Sequence, residues 1–131
     1  MIPARLERMR VLRAFLEAFC ASAGVGSHSC LRLNLVLEEL FTNTVRHGHG
    51  GDSDSPVWVS LVRKGGQIRL TYEDSAPPFN PYARLPSVSP DTTLELRKLG
   101  GLGVLLTGEM ASSRDYAYIF GRNRIRLSLA V

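Results

Sequence analysis

Residues 31–47 constrain the fold more than any other stretch of the chain. The run Leu31-Arg-Leu-Asn-Leu-Val-Leu-Glu-Glu-Leu-Phe places apolar side chains around most of a helical circumference. A helix of that kind has to be buried, and a sheet is the natural cover. Polar side chains on it then need an explanation, because burying them without partners is costly.

The flanking sequence supplies the rest of the layers. Upstream, Leu6, Met9, Leu12, Phe15, Leu16 and Phe19 recur at spacings of three and four, which predicts an amphipathic helix over residues 3–23. Gly24 and Gly26 end it, and Ser27 or Ser29 is positioned to cap the second helix. A first strand before Pro3 has room only to be very short. Downstream, residues 48–56 read as a loop. Residues 57–63 and 67–72 alternate around Lys64-Gly65-Gly66 and predict a hairpin. Residues 74–91 hold five prolines, at 77, 78, 81, 86 and 90, which excludes regular structure across most of the segment. A third helix is expected at 104–110. Strands follow at 116–120 and 124–129, turning at Gly121-Arg122-Asn123. Helices with hairpin-linked strands indicate an α+β two-layer sandwich, a mostly antiparallel mixed sheet with helices on one face. At 131 residues and 44% apolar content a single domain is expected.

Composition narrows the function classes. The net charge is +4, but the sixteen Lys and Arg form no basic run and carry no nucleic-acid motif. That balance suits an anionic ligand such as a nucleotide, or an acidic protein, rather than nucleic acid. No apolar run is long enough to span a membrane and the start lacks a secretion signal, so a cytoplasmic protein is expected. Cys20 and Cys30 lack metal-binding spacing.

Three constellations can carry chemistry. Glu39 and Asn43 are one turn apart on one face of the buried helix. They suit a magnesium nucleotide, with the amide oxygen reaching the hard cation and the carboxylate taking a proton from the attacking group. The ordinary alternative is Glu39 in solvent and Asn43 bonded to a loop. Asp74 sits at a strand end before a stiff turn, able to accept a hydrogen bond from an exocyclic amine or simply to make an Asx-turn. Gly100, Gly101 and Gly103 precede a helix, where bare backbone and the helix N-terminus favour phosphate, with Lys98 or Arg97 nearby as a cation. A plain loop is the alternative there, and neither a Walker nor a Rossmann pattern is present.

The order of these elements resembles the N, G1 and G2 boxes of the GHKL ATPases, whose fold is the Bergerat fold. The N box spans residues 38–48, the G1 box 74–81, the ATP lid about 77–99 and the G2 box 100–104. Glu38-Glu-Leu-Phe-Thr-Asn-Thr-Val-Arg-His-Gly, Asp74-Ser-Ala-Pro-Pro-Phe-Asn-Pro and Gly121-Arg-Asn-Arg-Ile-Arg-Leu look most like the bacterial anti-sigma-factor serine kinases. The resemblance implies ATP and Mg2+ as cofactors, with Glu39 as general base, Asn43 as magnesium ligand and Asp74 as adenine reader. Ala76 would lie against the base, and Gly100, Gly101, Leu102, Gly103 and Val104 would flank the phosphates. Ala76 departs from the wider superfamily, which usually has glycine there. The implied partners are a sigma factor, an anti-anti-sigma substrate of STAS type and a second copy of the chain. A non-catalytic nucleotide-gated binding module and a relative of histidine kinase catalytic domains are the alternatives.

Overall fold

The computed structural model describes residues 1–80 and 113–131. Helix α1 runs over Met9–Ala23 after a short 3-10 turn at Leu6–Arg8, and helix α2 over Ser27–Asn43. The strands are β1 (Ile2–Pro3), β2 (Pro56–Lys64), β3 (Gln67–Asp74), β4 (Ser113–Ile119) and β5 (Arg122–Ala130). They form one sheet in the order β1-β2-β3-β5-β4, and every described pairing is antiparallel. The α+β reading holds. The short first strand is present too, as two residues paired with Val57 and Pro56.

Period-two alternation decides which strand residues face the helices. Ile68, Leu70 and Tyr72 of β3 are buried with Ile125, Leu127 and Leu129 of β5. They close on Leu12, Leu16 and Cys20 of α1 and on Leu33, Val36, Leu37, Leu40 and Phe41 of α2. The same phase carries two polar residues inward at one end of the sheet, Asp74 on β3 and Asn123 on β5, which sit opposite each other in the register.

Several boundaries differ from the sequence expectation. Pro3 belongs to β1, so the first helix starts later. Neither serine caps α2: Gly26 is the N-cap and Ser27 is already helical. Leu31 and Leu35 remain exposed, so α2 buries one side and the end of its apolar run rather than its whole circumference. The last strands turn at Phe120-Gly121, both with positive φ, which is the backbone of a tight two-residue hairpin and leaves Arg122 and Asn123 inside β5. The helix expected at 104–110 lies outside the described residues. Among the described residues, no helix is long and apolar enough to cross a membrane.

The end of α2 brings the helix layer to the polar end of the sheet. Beyond Asn43 the backbone widens into a π-helical turn over Thr44–Gly48, closed by His49 N–H donating to Thr44 O at 2.9 Å. It delivers Thr44 and Gly48 to the inward end of β3.

Candidate nucleotide-binding site

Asp74 is 7% exposed, and its carboxylate is held on both oxygens. Thr44 Oγ1 donates to Oδ2 at 2.7 Å, while Asn123 Nδ2 and the Ala76 N–H donate to Oδ1 at 2.8 and 3.1 Å. The Ala76 contact is the Asx-turn that the sequence allowed. A carboxylate cannot donate, which fixes the proton order behind it. Thr44 gives its proton to Asp74, so its oxygen is free to accept from Tyr72 OH at 2.6 Å. Burial pushes the Tyr72 phenol well above its ordinary pKa, which keeps that proton in place.

Asn123 is the second hub. Its Nδ2 faces Asp74 Oδ1, Ala76 O (3.0 Å) and Pro77 O (3.0 Å), while its Oδ1 accepts from Phe79 N–H (2.9 Å) and Tyr116 OH (2.5 Å). Two donors on one side and three acceptors on the other leave one sensible amide orientation.

Ala76 is 2% exposed, and its methyl is turned onto Gly48. A Cβ added at Gly48 would lie 2.8 Å from Ala76 Cβ. Together with Leu40, Asn43, Thr44 and Asp74 these residues help to line a partly open recess of about 20 Å³, room for a single water. The methyl that replaces the superfamily's usual glycine is thus taken up largely by the missing side chain at position 48.

Glu39 and Asn43 are differently provided for. Glu38 is occupied, accepting from Arg13 Nη2 and from Asn34 Nδ2. Its neighbour Glu39 has a buried Oε1 with no hydrogen-bond partner among the described residues. Burial raises the Glu39 pKa, while a hydrogen bond from Asn43 and the charge of Arg46 pull it back down. So the two residues are in contact, and one carboxylate oxygen is left over. Among the described residues, no three His, Cys, Asp or Glu side chains cluster to hold a metal. Any divalent cation here would rest on the Asn43 amide and draw its other ligands from a phosphate-bearing molecule and water, a common magnesium arrangement.

The structure therefore brings Glu39, Asn43, Asp74 and Ala76 to one end of the sheet and of α2. Lys98, Gly100, Gly101, Leu102, Gly103 and Val104 lie outside the described residues. Sequence reasoning does not single out Thr44, Tyr72 or Asn123. The signal for two of them is present: the inward phase of β3 and β5, extended to the strand ends, reaches Tyr72 and Asn123.

The chain matches the family described as the histidine kinase-like ATPase domain over residues 2–129. It is 24% identical over 108 residues to the serine-protein kinase RsbW of Listeria monocytogenes serotype 4a (strain HCC23), covering 80% of this chain and 69% of that protein. Identity and coverage are the same for the RsbW of Listeria innocua serovar 6a (strain ATCC BAA-680 / CLIP 11262). The fold, a carboxylate locked at the end of a central strand and a family match across nearly the whole chain agree: this protein belongs to the histidine kinase-like ATPase family.

Proposed function

We propose that the chain is an anti-sigma regulatory factor of the cytoplasm. On this reading it binds ATP with Mg2+, phosphorylates a serine or threonine of a STAS-type anti-anti-sigma partner, and sequesters a sigma factor, acting as a homodimer. The observation that carries the kinase reading is the buried oxygen of Glu39, unpartnered among the described residues and one turn from Asn43. The relatives named as serine-protein kinases support it.

Bound ATP with magnesium would supply the γ-phosphoryl group and the positive charge that offsets charge building on it. Asn43 would hold the cation through its side-chain oxygen, and Asp74, already oriented by three donors, would accept from the adenine amine. Glu39 would accept the proton of the partner's hydroxyl as that oxygen forms its bond to the γ-phosphorus and the bond to ADP breaks. The raised pKa suits a base, since proton affinity closer to the working pH makes a better acceptor. Gly101 and Gly103 would meet the phosphates through bare backbone.

Calorimetric titration of MgATP into the wild type and Asn43→Ala tests the binding half, with loss of heat expected only in the variant. Glu39→Ala tests the chemical half. It should bind ATP and transfer nothing to a hydroxyl, and normal transfer would overturn the assignment. A folded wild type without affinity for ATP would leave a partner-binding module instead.

A further inference from the structure

We propose that Asn123 is a positioning residue for nucleotide binding. It orients the Asp74 carboxylate and, through the same amide, fixes the backbone of residues 76–79 around the base. This role deepens the kinase reading and rests on it, because it takes Asp74 as the group that meets the base.

Connectivity sets Asn123 apart. It is 4% exposed and belongs to β5, while all but one of its partners lie on or just after β3, more than forty residues away in sequence. The register puts Asn123 directly opposite Asp74. Nδ2 carries two protons and faces three acceptors at 2.8–3.0 Å, so Asp74 Oδ1, Ala76 O and Pro77 O share them. Oδ1 gathers the Phe79 N–H and the Tyr116 hydroxyl. Two consecutive carbonyls and one N–H of a segment containing Pro77 and Pro78 are thereby tied to one planar group. Proline has no N–H, so this stretch cannot anchor itself through a ladder. A shorter side chain cannot do the same: a Ser or Thr hydroxyl has one proton and reaches one end of the cluster only. Nothing in the packing of the sheet needs an amide here. The next inward residues of β5, Ile125 and Leu127, are aliphatic.

The conservative replacement Asn123→Asp separates positioning from support, because it keeps the shape and swaps the donor for an acceptor. At pH 8 the new carboxylate would face Asp74 Oδ1 and two carbonyls with no proton between them, and two carboxylates sharing a site raise the pKa of the pair. As pH falls, one proton enters and an O–H donor is restored. Tyr72 and Tyr116 face the pair, but both phenols have raised pKa values and stay neutral throughout.

Calorimetry of MgATP binding to the full chain at pH 8 and pH 6, with thermal midpoints measured alongside, is the test. Asn123→Asp should bind roughly 10- to 100-fold more weakly than wild type at pH 8 and regain most of that loss at pH 6. Tyr116→Phe, which removes one donor to Asn123 and leaves Asp74 untouched, should bind only a few-fold more weakly and without the pH effect. Wild-type affinity in Asn123→Asp at pH 8 would overturn the proposal, and so would an equal loss at both pH values. If Asn123→Asp does not fold at pH 8, Asn123→Ser takes its place, and ATP affinity equal to wild type in that folded variant is the overturning result. Failure of the wild type itself to bind ATP would instead sink the nucleotide reading on which the proposal stands.

Discussion

The two halves of the site differ in how their polar atoms are satisfied. Around Asp74 both carboxylate oxygens are occupied, and behind them Thr44, Tyr72 and Asn123 form a closed network. Around Glu39 the carboxylate contacts Asn43 and leaves a buried oxygen without a partner among the described residues. A satisfied buried network fixes geometry, whereas an unsatisfied buried oxygen is a cost that a folded protein retains where something else will use it. On the proposed reading the Asp74 half is a template, its carboxylate already held by Thr44, Ala76 and Asn123. The Glu39 half keeps spare proton-accepting capacity.

The largest effect that can break this contrast is at Glu39. If its spare capacity is chemical, Glu39→Gln should lower phosphoryl transfer by roughly 10²–10⁴-fold while ATP affinity stays near wild type, read by transfer of labelled phosphate and by calorimetry. The pH dependence has a definite sign. Burial raises the Glu39 pKa, so the base form and with it the rate of transfer should increase with pH through a midpoint above the usual glutamate value. The raised pKa also means that the folded state favours the protonated form, a contribution to stability present at low pH and lost as pH rises through that value. Glu39→Gln should accordingly unfold at a slightly higher temperature than wild type at neutral pH.

At the other half, Asp74→Asn keeps the shape but sets an amide N–H2 against the donors on Thr44 or Asn123. ATP affinity should fall roughly 10- to 100-fold, with a drop in thermal midpoint that Glu39→Gln does not share. Equal behaviour of the two variants would erase the distinction between template and reactive half.

Gly48→Ala sharpens the geometry of the template. The new methyl would lie 2.8 Å from Ala76 Cβ, and overpacking of that kind costs about 1–3 kcal/mol. Adding Ala76→Gly should return most of it, and a double-mutant cycle by denaturant unfolding measures the coupling.

The smallest effect lies at the hairpin tip. Phe120 is 96% exposed with φ of 54°, a backbone that Asn tolerates better than an aromatic. Phe120→Asn should stabilise by a few tenths of a kcal/mol up to about 1 kcal/mol and leave ATP affinity unchanged.

Much of the fold and the position of half of the candidate site are legible in the sequence. The helix periodicity, the Lys64-Gly65-Gly66 hairpin and the inward phase of the strands are local signals, and they place Glu39, Asn43 and Asp74 at the ends of the right elements. The network behind Asp74 is not legible, because Thr44, Tyr72 and Asn123 are brought together from three elements by a π-helical turn and a strand register. Local pattern specifies neither. The wide turn at Thr44–Gly48 leaves no mark on the periodicity of a run that already looks helical to residue 47. The cap of α2 is hidden for a related reason: Ser27 and Ser29 are both good cap residues, yet Gly26 already has the extended backbone that a cap requires.

The contact between Gly48 and Ala76 also sets an order on how this chain can change. A side chain at position 48 escapes the clash only once position 76 has become glycine, whereas glycine at 76 creates no clash. Of the two single-step routes between the present pair and the reverse pair, one runs through a crowded intermediate and the other through a loose one. The loose route avoids the clash in both directions, so two positions twenty-eight residues apart in sequence change in a set order.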